Sequence, residues 1–134
     1  MLHIQGLQAL GIDTDEGLAC CAGDPEFYEE MLGAYAAEAQ TGSTKLEQDY
    51  SSHDWKSYGI RVHTVKSTSR MIGAKDLSEE ARQLETAAKE SDPDTILSHH
   101  DAFLAAYIQL AEEIKKNIGQ VSGENICETA SDVF

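Results

Sequence analysis

Apolar positions along this chain recur at intervals of three and four, and runs of Val, Ile, Thr and aromatic residues alternating at period two are absent. That pattern predicts helices and no sheet. The clearest stripe is Trp55, Tyr58, Val62, Val65, Ser69 and Ile72, the seam of a helix packed in a bundle. An earlier stripe runs through Tyr28, Leu32, Tyr35, Ala39 and Leu46. A later one runs through Leu77, Ala81, Leu84 and Ala88, and the last through Ile96, His100, Phe103, Tyr107, Leu110 and Ile114.

Start signals precede these stripes. Asp13 can accept a backbone N–H, with Glu16 three residues on as in a capping box. Asp24-Pro25-Glu26 combines a cap, a proline at the first helical position and an acid at the positive end of the dipole. Ser51-Ser52-His53-Asp54 and Ser91-Asp92-Pro93 open two further helices. Gly23 ends a short first helix, Gly73 caps the seam helix at its C-terminus, and Thr41-Gly42-Ser43 predicts a kink or break. Short connections make consecutive helices antiparallel. The expected fold is all-α: an antiparallel four-helix bundle with a short additional N-terminal helix. It forms one domain over residues 1–118, followed by a flexible, aperiodic tail over 119–134.

Composition narrows the function. A length of 134 residues with 41% apolar content suits one core. No stretch approaches the ~18 apolar residues of a membrane span, and Met1-Leu2-His3-Ile4-Gln5 lacks the basic region and apolar run of a signal peptide. Cys20, Cys21 and Cys127 are odd in number, and two are adjacent. This argues against a disulfide framework and for a reducing, cytoplasmic setting. They form no CxxC-like ligand pair, and the Glu-x-x-His pairs of di-iron bundles are missing, so no metal is expected. A net charge of −14 disfavours nucleic acid as a partner. Between Asp54 and Asp76, however, Lys56, Arg61, Lys66, Arg70 and Lys75 face only those two acids. A cationic helix in an anionic protein suits a phosphoryl group or an acidic partner, although a plain solvated face has the same composition.

His63 stands one position off the seam, on a stripe of Gly59, His63, Lys66, Ser67 and Arg70. The stripe is polar or small, so it should meet solvent. A lone surface histidine is commonly incidental; here three features add to it: small neighbours, a lysine within reach, and the cationic excess centred on the same helix. Gly59 and Ser67 lie about one turn away on either side. A mid-helix glycine costs roughly 1 kcal/mol against alanine, so Gly59 serves either partner approach or close helix packing. Lys66, three residues on, can reach a group added to the ring. A neutral imidazole is a nucleophile near neutral pH. Attack on an acyl phosphate would give a phosphoramidate, stabilised by positioning and charge. His100 lies on an apolar stripe and reads as a packed histidine; His99 reads as solvent-facing, and Cys20 and Cys21 as small apolar residues.

Residues 63–74 read H-T-V-K-S-T-S-R-M-I-G-A. This resembles the signature of histidine-containing phosphotransfer (HPt) domains: histidine, a hydrophobic residue two on, lysine three on, then small residues ending in hydrophobic-Gly-Ala. Leu77, Ala81, Leu84 and Glu85 are similar to the family's next helix. Gly11-Ile12-Asp13, Gly17-Leu18, Cys20 and Gly23-Asp24 resemble its approach to the bundle, and Trp55 matches an aromatic or apolar residue opening the histidine helix. The resemblance covers roughly residues 11–118.

It implies a phosphorelay intermediate in a two-component system, with His63 phosphorylated, Lys66 stabilising the phosphate, and Gly59, Ser67 and Arg70 meeting the partner. That partner would be a receiver domain of a response regulator or hybrid kinase, whose aspartate gives and takes the phosphoryl group. The receiver would supply magnesium, so the chain needs no cofactor of its own, and it is expected to be monomeric. Without a Gly-rich phosphate loop or an acid after His63, it should not phosphorylate itself from ATP, though it could be one domain of a hybrid sensor kinase. Ser67 departs from the family's usual glycine. The alternative is a helical adaptor that binds receivers or other proteins without carrying phosphate.

Overall fold

The computed structural model describes residues 4–118. Among these every regular element is a helix: α1 (Ile4–Ala9), α2 (Thr14–Cys20), α3 (Pro25–Ser51), α4 (Trp55–Ile72), α5 (Lys75–Lys89) and α6 (Pro93–Asn117). The tail expected over 119–134 lies outside the described residues.

Four aspartates set the starts. Side-chain oxygens of Asp13, Asp24, Asp54 and Asp92 accept from the backbone N–H of Glu16, Glu26, Ser57 and Thr95, satisfying donors that have no partner inside a first turn. At Asp13 the reciprocal half of the capping box is replaced. Its own N–H donates to Gly73 O at 2.8 Å, and Glu16 turns to Lys75 at 3.4 Å. Gly73 ends α4 in the left-handed conformation, φ +92°, so that Ala74 N–H reaches back to Ser69 O at 2.8 Å. α5 begins without a side-chain cap.

α3 packs on α4 and α6, and α5 on the same two helices, with α4 and α5 in the closest association; α2 rests against α4, and α1 against α6 and α2. Their shared interior holds Tyr28, Leu32, Leu46, Tyr58, Val62, Ile72, Leu84, Ile96, Phe103 and Ile114. Three expected core positions are only half-buried: Trp55, Ala88 and Leu110. Ala87 and Ala111 are buried in place of their neighbours, because a 3.6-residue turn drifts away from a strict 3-4 repeat.

The interior is not wholly apolar. His100 is fully buried, its ring stacked on Tyr50 with centroids 3.8 Å apart. Nε2 lies 3.0 Å from Glu47 Oε1, which as a carboxylate can only accept, so Nε2 carries the proton and Nδ1 accepts from the Tyr58 hydroxyl at 2.9 Å. The hydrogen bond from His100 holds the Glu47 carboxyl below its ordinary value. This network ties α6 to α3 and α4 and accounts for the packed histidine on an apolar stripe.

The break expected at Thr41-Gly42-Ser43 does not occur, since α3 is continuous across it. Thr41 donates to Glu38 O, and Ser43 and Thr44 to Gln40 O, at 3.2–3.3 Å, so the hydroxyls are satisfied without leaving the helix. A Cβ at Gly42 would meet only the Tyr107 hydroxyl, at 3.6 Å. Gly42→Ala is therefore expected to stabilise the protein by up to ~1 kcal/mol, read from the midpoint of urea unfolding; a lower midpoint would show that the space above Tyr107 is needed. α1 has no counterpart in the periodicity reading. It buries Leu7 yet presents no capping residue from which sequence could place its start.

Candidate functional site

α4 turns its seam inward and leaves His63 on the other side, 56% exposed at the side chain. The ring is held at one nitrogen. Nδ1 lies 2.6 Å from Glu85 Oε2, on α5. The second oxygen, Oε1, accepts from Lys66 Nζ at 2.7 Å, and Lys89 Nζ stands 3.4 Å from Oε2. Two helices thus meet over one carboxylate. Their register is fixed nearby by Ser78, whose hydroxyl donates to Lys66 O at 2.9 Å.

Glu85 is buried, with 5% of its surface exposed. Burial by itself would push its carboxyl up; hydrogen bonds from Lys66, His63 and Lys89 outweigh that and bring it down to about 2. It is therefore ionised at neutral pH and acceptor-only. That fixes the neutral imidazole as the tautomer with hydrogen on Nδ1, leaving the Nε2 lone pair free. Nε2 has no hydrogen-bond partner among the described residues.

His63 opens onto a groove of about 620 Å³ walled by Trp55, Gly59, Ile60, Ala88 and Lys89. Ile60 is 62% exposed and forms its outer lip. A Cβ on Gly59 would come within 3.2 Å of Ala88 Cβ, so this glycine allows the close approach of α4 and α5, and its position on the groove wall leaves room beside the ring. Lys66, Ser67 and Arg70 face a neighbouring cleft of about 570 Å³ with Lys75, Ser78 and Arg82. The five residues singled out in the sequence therefore divide: Gly59 and His63 share one groove, the other three share the next, and Glu85 bridges them through His63 and Lys66. Arg70 is exposed and makes no ion pair among the described residues.

Glu85 and Lys89 were not assigned roles from sequence. A signal existed: Glu85 lies four residues after Ala81 and three before Ala88, a charged residue on the inward face of α5, where only a paired charge is stable. Among the described residues no His, Cys, Asp and Glu group could hold a metal ion, and no helix is long and apolar enough to cross a membrane.

Residues 30–123 match the family model described as Hpt domain. The chain belongs to the Hpt domain family. No curated protein and no solved structure matches it. As an Hpt domain it serves phosphotransfer in phosphorelay signalling. The matched range of the Hpt domain begins in the second turn of α3 and includes all of α4, α5 and α6, and so contains every residue of the His63–Glu85 cluster.

Proposed function

We propose that this Hpt domain carries a phosphoryl group on Nε2 of His63, accepting it from a receiver-domain aspartate and donating it to another. The observation that carries this reading is the hydrogen bond from Nδ1 of an exposed ring to a buried, ionised carboxylate.

The Nε2 lone pair attacks phosphorus of the acyl phosphate; the P–N bond forms, the P–O bond to the aspartate breaks, and the carboxylate leaves with the electron pair. Attack places positive charge on the ring, which still bears hydrogen on Nδ1, and Glu85 at 2.6 Å offsets it. The step reverses by the same path, because a cationic ring is a good leaving group for the next aspartate. Lys66, three residues along the helix, adds positive charge for the phosphoryl oxygens: about 1 kcal/mol at ~4 Å in water-like surroundings and up to ~4 kcal/mol once a docked partner excludes solvent. Gly59, Ser67 and Arg70 are assigned to the partner's footprint, Ser67 as a small residue where glycine is usual and Arg70 as a free cation for an acidic rim. Magnesium belongs to the receiver and no cofactor to this chain. The arrangement in which α3 and α5 each pack on α4 and α6 supports an antiparallel four-helix bundle with α1 and α2 added; a cytoplasmic, monomeric chain belongs to the same proposal.

Incubation with a receiver charged by acetyl phosphate and magnesium, followed by intact-mass analysis, tests the reading. A gain of one acid-labile phosphoryl group is expected in the wild type and none in His63→Gln. Stable binding with no transfer at any ratio identifies an adaptor instead.

A further inference from the structure

We infer that Lys89, at the end of α5, is a second cation for the phosphoryl group on His63, held on Glu85 until that group arrives. The inference rests on the assignment of His63 as the phosphorylated residue. It follows from how three donors share one carboxylate. Lys66 has Oε1 to itself at 2.7 Å, and its side chain is only 28% exposed. Lys89 shares Oε2 with the His63 ring, at the longer distance of 3.4 Å, and is 73% exposed. Lys66 thus acts on the phosphoryl group from a position fixed on Glu85, whereas Lys89 is loosely placed on a flexible stem that can swing without moving the helices.

Position agrees with mobility. Lys89 lines the groove onto which His63 opens; Lys66 lines the neighbouring cleft. Before transfer the strongest nearby anion is Glu85, a single charge already paired with Lys66. After transfer the groove gains a group carrying about −1.5 to −2 charges and three acceptor oxygens. The balance of attraction then moves Lys89 from the carboxylate to the phosphoryl oxygens, while Lys66 keeps Glu85 ionised and Glu85 keeps the ring oriented. A structural rival exists: Lys89 is a basic residue in the last turn of α5 and an i,i+4 partner of Glu85, either of which favours the helix slightly. That role predicts no effect on where the phosphoryl group resides.

The test is the equilibrium partition of phosphoryl between a receiver aspartate and His63, measured for wild type, Lys89→Ala and Lys89→Arg at low and high salt, with helix content checked by circular dichroism. Lys89→Ala should shift the partition against His63 by about fivefold at low salt, with the gap narrowing as salt screens the charge. Lys89→Arg should stay within about twofold of the wild type, a bound set by its retained charge. A wild-type partition in Lys89→Ala, or an equal loss in Lys89→Arg, overturns the inference while leaving His63 as the acceptor. A wild-type chain that takes up no phosphoryl group removes the assignment of His63, and this inference with it.

Discussion

Replacing Glu85 by alanine should slow phosphoryl transfer to His63 by about 10- to 100-fold, the loss typical when the carboxylate that orients a metal-bound histidine is removed. Three functions disappear with the one carboxylate. The ring loses the acceptor that keeps hydrogen on Nδ1, so part of the population presents N–H in place of a lone pair at Nε2. The charge that offsets the cationic ring during attack is gone. Lys66 loses its anchor at 2.7 Å. Stopped-flow transfer from a charged receiver, with receiver affinity measured separately, isolates the effect: the rate should fall while affinity changes little, since Glu85 is only 5% exposed and offers a partner little surface.

The same carboxylate predicts an acid dependence. Its folded value, about 2, lies below the ordinary 4.5. A depressed carboxyl contributes stability that is fully present above the unfolded value and is lost as pH falls through the folded one. The stability difference between wild type and Glu85→Gln should therefore be steady above about pH 5 and shrink progressively toward pH 2. A difference that does not change across that window would show that Glu85 is not held as a buried anion.

Gly73→Ala should cost about 2–5 kcal/mol, by two additive causes. The residue sits at φ +92°, where an L side chain is strained by about 1–2 kcal/mol. An added Cβ would also fall 2.2 Å from the backbone oxygen of Asp13, far inside contact distance, and backbone cannot yield as a side chain can. Relief would require separating α2 from the end of α4 and breaking the Asp13 N–H to Gly73 O bond. Urea or thermal unfolding reads the loss. Phosphoryl transfer per folded molecule should be nearly unchanged, because His63 lies ten residues earlier on the same helix and its partners are all on α4 and α5.

What was legible in the sequence was local. Aspartate caps and the 3-4 seam of α4 placed four helix starts and the buried face, and the offset of His63 from that seam placed its ring outside. What was not legible depended on which helix lies across from which. Glu85 reaches His63 over 22 positions, and that contact exists only in the register of α5 on α4. Lys66 looked free from its spacing, yet its ammonium is bound across the helix pair. Gly42 looked like a break because its neighbours are poor helix formers, but their hydroxyls bond within the turn. His53 and Ser91 end helices in the left-handed region at φ +57° and +54°, positions where glycine is the readable signal and neither residue provides it.

Phosphorylation at Nε2 of His63 is read most directly by nitrogen-resolved NMR of the phosphorylated protein, with the imidazoles labelled with ¹⁵N and phosphorus coupling used to identify the bonded atom. One phosphoryl group is expected, on Nε2 of His63, with hydrogen retained on Nδ1. Phosphorus bonded to Nδ1 of that ring, or to any other residue, would contradict this assignment.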